Sequence, residues 1–198
     1  IFVPCAIVAT GSYYAPYLEN VAGMNTVISS TFAVIRGTAF PIVAALLFGV
    51  LSKKIGRSSS LLLTSCVALV VLSIVLRLVP GSAAVLWPLM IIMVCIAFFT
   101  GGCRAVNWAI IDEAGTAKNM VGSVIGVASL IGYLPDAFIH TMYGGWIDTY
   151  DFTTAYNKIF NFCIIVAVVG AIFAFFGERI IKKRQMELKA NGSVSTEE

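Results

Sequence analysis

TVISSTFAVIRGTAFPIVAALLFGVL, residues Thr26 to Leu51, decides what kind of molecule this chain is. As one helix it would rise roughly 39 Å, more than the ~30 Å hydrocarbon core of a bilayer requires, so it spans with some tilt. Arg36 stands near the middle of this run, within about 4 Å of the bilayer midplane on the same rise per residue. An arginine at that depth opposes insertion by about 2.5 to 3.5 kcal/mol and persists only against a protein interior or a watery cavity. Arg36 is therefore the first candidate binding group.

The composition points the same way. Of the 198 residues, 59% are hydrophobic and 12% charged, with a mean hydropathy of +0.94, and a soluble domain carries about twice that charge. An all-α integral membrane protein is expected. The net charge of +3 is divided among membrane flanks rather than gathered on one face, so it signals no nucleic-acid partner. Cys5, Cys66, Cys95, Cys103 and Cys163 all lie in apolar runs with no CxxC pair and no histidine at ligand spacing, which leaves no metal or cofactor to expect. Nor is there a phosphate-binding loop for nucleotide hydrolysis.

Along the chain six spans are expected. The first is Ile1 to about Tyr17, the outer part of a helix ending in the interfacial aromatics Tyr13, Tyr14 and Tyr17, of which Tyr13 and Tyr14 could also line a pathway. Because the chain opens at Ile1 inside an apolar stretch, a missing upstream portion is expected. The second span is the one quoted above, and the third is Ser60 to Leu78, uniformly apolar with Arg77 at its end. Ala84 to Ile111 is the fourth, and within it Arg104, Asn107 and Trp108 fall at helical spacing along one face. Arg104 is either a pathway residue or one that snorkels past the helix end about 10 Å away. Met120 to Ile147 is the fifth, where Gly122 and Gly126 form a GxxxG pair expected to allow close helix contact. In the same span Pro135 precedes the intramembrane acid Asp136, and His140 lies one turn on, either as a hydrogen-bonded interior residue or as a proton-coupling group. Asp148 to Asn157 reads as an outer loop and Ile159 to Gly177 as the sixth span. Residues 1–178 thus form one bundle, and 179–198 a basic, then polar and disordered tail.

Nine of the thirteen lysines and arginines fall on one side: Lys53, Lys54, Arg57, Lys118, Arg179, Lys182, Lys183, Arg184 and Lys189. The positive-inside rule places those loops and the carboxy terminus in the cytoplasm, with the protein multi-pass in the plasma membrane.

The turn after the second span, Gly49-Val50-Leu51-Ser52-Lys53-Lys54-Ile55-Gly56-Arg57-Ser58, resembles the loop motif of the major facilitator superfamily, Gly-x-Leu-Ala-Asp-Arg-x-Gly-Arg-Lys. It matches at Gly49, Leu51, Lys54 as a basic substitute, Gly56 and Arg57, and departs at Lys53, where the family carries an acid. Gly49 to Ser52 and Gly145 to Asp148 end the second helix of each three-helix group on opposite sides of the membrane, as an inverted 3+3 repeat would. The resemblance implies the carboxy-terminal half of such a carrier, helices 7 to 12. RAVNWAIIDEAG and GSVIGVASLIGYLPDAF further resemble prokaryotic nitrate/nitrite-like or organic-anion members. On that footing Tyr13, Tyr14, Arg36, Arg104 and Asn107 are expected to contact solute, with Asp136 and His140 in coupling or gating. The expected partners are a missing amino-terminal six-helix half, a small solute and a coupling ion.

Three functions follow for comparison. The leading one is secondary transport of a small organic or inorganic anion by alternating access. A non-transporting structural or receptor-like relative is the second. A membrane-embedded enzyme comes last, because the membrane region offers one histidine, one aspartate and no paired carboxylates. For Arg36 two roles stay open: binding an anion, or a structural ion pair with Asp136, whose depth is similar.

Overall fold

The computed structural model describes residues 2–113, 116 and 119–194, and the elements found there are helical. They are α1 (Phe2–Gly11), α2 (Tyr14–Asn20), α3 (Thr26–Ile55), α4 (Ser58–Leu78), α5 (Leu86–Val106), α6 (Ala109–Glu113), α7 (Val121–Thr149) and α8 (Phe152–Val194), with a single 3₁₀ turn at Ala83–Val85 before α5. Five of these, α3, α4, α5, α7 and α8, are long and apolar enough to cross a membrane.

The first expected span is two short helices rather than one. Pro16 has no N–H for the carbonyl four residues back and its ring crowds that turn, so a continuous helix across Ser12 is disfavoured. At the third position of a new helix the missing donor costs nothing, and α2 accordingly starts at Tyr14. The fourth span is also interrupted, with α5 ending at Val106 and α6 restarting at Ala109. In contrast, Pro135 sits inside an unbroken α7.

The outer loop expected at Asp148 to Asn157 shrinks to Tyr150 and Asp151. Asp151 takes the cap position of α8: its carboxylate accepts from the Thr154 N–H at 3.0 Å and its carbonyl from the Ala155 N–H at 2.9 Å. Those Thr154 contacts hold the carboxyl below its ordinary range. At its other end α8 runs past Glu178 and continues as helix to Val194. Lys118 and residues 195–198 lie outside the described residues, as do the side chains of Arg184 and Lys189.

The core is built where α4 and α8 pack on each other and both pack inward, α4 on α5 and α8 on α1. Tyr14, Tyr17, Leu69, Leu89, Met93, Ile139, Tyr143 and Ile159 are buried there. Within it the Tyr143 and Thr10 hydroxyls share a hydrogen bond of 2.9 Å, joining α7 to α1. The helices α3 and α7 stay at the margin, with only 11% and 17% of their most apolar windows buried.

Close packing falls on other glycines than the GxxxG pair. Gly122 and Gly126 are exposed, and a Cβ at either would meet nothing within 4 Å. A small-residue spacing marks a surface that permits close approach, but no described residue of another helix approaches this one. Gly101 and Gly102 take that role, because α3 lies directly on them: a Cβ at Gly101 would stand 2.6 Å from the Pro41 Cα, and one at Gly102 2.7 Å from the Phe48 ring. Since the obstacle at Gly101 is backbone, Gly101→Ala must push α3 off α5. A loss of about 1 to 3 kcal/mol is expected, read as a lower midpoint of thermal unfolding in detergent. Gly122→Ala should leave that midpoint unchanged.

Candidate functional site

The break between α1 and α2 is the starting point of the site. A helix that stops leaves the carbonyls of its last turn without partners. At the end of α1 the Gly11 carbonyl accepts a hydrogen bond from Arg36 Nη2 at 2.8 Å. The same guanidinium lies over the Tyr14 ring, 4.9 Å from its centroid, a cation–π contact strengthened by desolvation. Arg36 is thus held by a carbonyl at the negative end of a helix and by an aromatic face, not by a carboxylate. It is 9% exposed, and its Nε has no partner among the described residues.

Asp136 makes no ion pair with it. Asp136 is exposed on α7, which packs chiefly against α1, while α3 packs chiefly against α5. Equal depth gave no contact because rise along a helix fixes height and not direction around the bundle.

Arg36 lines a cavity of about 100 Å³ between α1, α3 and α5, together with Ile7, Pro41, Thr100 and Arg104. The Thr100 hydroxyl is spent on the Ile96 carbonyl at 2.6 Å. Two arginines therefore line one small space that has no acid among the described residues of its lining. A second cavity, about 160 Å³, lies next to it and is lined by Pro4, Cys5, Arg104, Asn107, Trp108 and Tyr133. Arg104 is common to both. The structure brings together Arg36, Arg104 and Asn107 along this face, as the sequence pattern implied for the last two.

The tyrosines separate. Tyr14 is 1% exposed, with its ring between Arg36 and Phe160, which makes it a support for the arginine. Tyr13 reaches α7: its hydroxyl donates to the His140 carbonyl at 3.2 Å and lies 3.3 Å from His140 Nδ1, with the two rings stacked at 5.8 Å. Tyr13 and His140 thus tie the α1–α2 corner to the marginal helix α7.

At the far end of α3 the loop motif forms a tight turn. Gly56 takes φ +66°, where a side chain would be strained, and its N–H closes α3 on the Ser52 carbonyl at 2.8 Å. Ser52 and Ser58 hydroxyls meet across the turn at 2.6 Å. Lys54 and Arg57 are exposed on it, and Gly49 has open space around it.

Gly11, whose carbonyl holds Arg36, is the residue of this site that sequence reading passed over. A Cβ there would stand 2.9 Å from Arg36 Nη2, so Gly11→Ala displaces the guanidinium while keeping every charge. Loss of this charge-assisted bond should cost about 1.5 to 3 kcal/mol. The check is thermal unfolding of the variant beside Arg36→Gln, which should lose a similar amount.

Comparison with known proteins gives three findings. Residues 2–198 match the family described as MFS_1 like. Inner membrane protein YqcE of Escherichia coli (strain K12) is 27% identical over 178 residues, covering 88% of this chain and 41% of that protein. Inner membrane protein YihN of the same strain is 25% identical over 193 residues, covering 96% and 45% respectively. The chain therefore spans less than half the length of these relatives.

Proposed function

The chain belongs to the MFS_1 like family, and from that premise we propose that it forms the carboxy-terminal half, helices 7 to 12, of a secondary transporter for a small organic or inorganic anion. The observation that carries this reading is the Arg36 cavity. A guanidinium removed from water, with an Nε unpartnered among the described residues and Arg104 lining the same cavity, favours an oxyanion. Nitrate-sized ions and the anionic group of an organic acid both suit the space.

Packing supports the inverted repeat. Counting α1 with α2 as one span gives six, and exchanging spans one to three with four to six carries several of the main contacts onto one another. The α3–α5 pair maps onto α7–α1, α4–α5 onto α8–α1, and α4–α8 onto itself. Alternating access then needs a facing half, and the length of the relatives leaves room for one. The exposed apolar side chains of α3 and α7, such as Val34, Ile42 and Leu130, would meet that half or lipid. Asp136 and His140, on the marginal helix, are the groups best placed for coupling to an ion.

The orientation proposed has the Gly49–Ser58 turn and the carboxy terminus in the cytoplasm, from the excess of basic residues there. A cysteine at Arg57, exposed on that turn, should resist an impermeant maleimide in intact cells and react after permeabilisation. Labelling from outside would reverse the orientation.

The transport reading is tested by uptake into proteoliposomes holding the full-length protein, with a panel of labelled small anions and cations. Saturable uptake of an anion, blocked by other anions, is expected. Saturable uptake confined to cations or neutral solutes would overturn the anion assignment. No uptake of any solute, together with solute binding, would favour the receptor-like alternative.

A further inference from the structure

We propose that the cavity at the α5–α6 break is a second anion station, one helical turn from the Arg36 station and sharing Arg104 with it. The proposal rests on the anion reading of Arg36 for its place in transport, but the second cavity has chemistry of its own.

Four side chains converge there with hydrogen-bond donors: the Arg104 guanidinium, the Asn107 amide, the Trp108 indole N–H and the Tyr133 hydroxyl. None of the four has a hydrogen-bond or ion-pair partner among the described residues. Among the described residues the lining contains no carboxylate, and the nearest acid along α7 is Asp136, one turn beyond Tyr133. A space of about 160 Å³ surrounded by unspent donors and one cation suits an oxyanion: a carboxylate, sulfonate or phosphate group.

The local backbone explains how the donors come together. α5 stops at Val106 and α6 begins at Ala109, so Asn107 and Trp108 stand at a helix break. The first station is also built at a break, the one at Ser12 and Tyr13. The inverted repeat relates the two. Arg36 lies thirteen residues before Gly49, and thirteen residues before Gly145 is Gly132, next to Tyr133. Each break is thus faced by the same depth of the second helix in its own group, with Arg36 in one copy and Tyr133 in the other.

The two stations stack along the helices. On α1 the first is lined by Ile7 and Val8 and the second by Pro4 and Cys5, about one turn apart. On α5 the order is Thr100 and Gly101, then Arg104, then Asn107 and Trp108 beyond the helix end. Arg104, exposed between them, would hold an anion from either side, so a solute leaving Arg36 toward the Asn107 end never loses its positive contact.

The test uses Tyr133→Cys in the full-length protein, reacted with methanethiosulfonate reagents carrying either a sulfonate or a trimethylammonium group. Modification of residue 133 is followed by mass spectrometry of its own peptide. A focused positive potential should make the sulfonate reagent faster by about tenfold. Acetate, methanesulfonate or inorganic phosphate should slow it by occupying the site. Arg104→Gln should abolish the preference, and Arg36→Gln should leave most of it. Equal rates for the two reagents would overturn the second station. Loss of the preference in Arg36→Gln would also overturn it, showing one merged site. Normal uptake by Arg36→Gln with the charge preference intact would instead sink the first station and leave the second standing.

Discussion

Arg36→Lys is expected to lower anion uptake by the full-length protein between about tenfold and a hundredfold, with expression unchanged. Lysine keeps the charge but loses the planar fork, and with it the geometry that bonds the Gly11 carbonyl while leaving further N–H donors on the same group. Each charge-assisted bond is worth about 1.5 to 3 kcal/mol, and 1.4 kcal/mol is about a factor of ten. Arg36→Ala should do at least as much. The ion-pair alternative makes a different demand: adding Asp136→Ala to Arg36→Ala should restore function, because no unpaired charge would remain. Since Arg36 touches a carbonyl and a tyrosine ring instead, the double variant should be no better than Arg36→Ala. Restored uptake there would end the anion-binding role.

Arg36 was legible in the sequence because a charge in hydrocarbon is a local anomaly that needs no tertiary knowledge. Its partner was not. Gly11 and Asp136 are equally plausible from depth alone, and only the bundle's packing brings the Arg36 side chain to the end of α1. The same limit explains the glycines: GxxxG at Gly122 and Gly126 has the spacing for close contact, but which face of a helix is covered depends on where its neighbours stand. The helix breaks were half legible. Pro16 was available as a signal for the first, whereas the second, at Asn107 and Trp108, has no proline or glycine to mark it. The Gly56 turn was legible in full, because a left-handed residue closing a helix is a local event.

Reconstituted alone, residues 1–198 are expected to insert and to give no solute-dependent uptake. The first cavity lies between α1, α3 and α5 and the second between α1, the end of α5 and α7, and α3, the helix that carries Arg36, is left largely uncovered by the rest of the chain. With no facing bundle there is nothing to seal the anion from one side while it is open to the other, and alternating access fails for want of a second body. Supplying the proposed amino-terminal half as a separate chain should restore uptake if the two halves meet along α3 and α7. The isolated chain should still show the charge preference at Tyr133→Cys, because that cavity is lined by its own residues. Uptake by the isolated chain would mean that a second copy supplies the missing face, and the rate would then rise with the square of its density in the membrane.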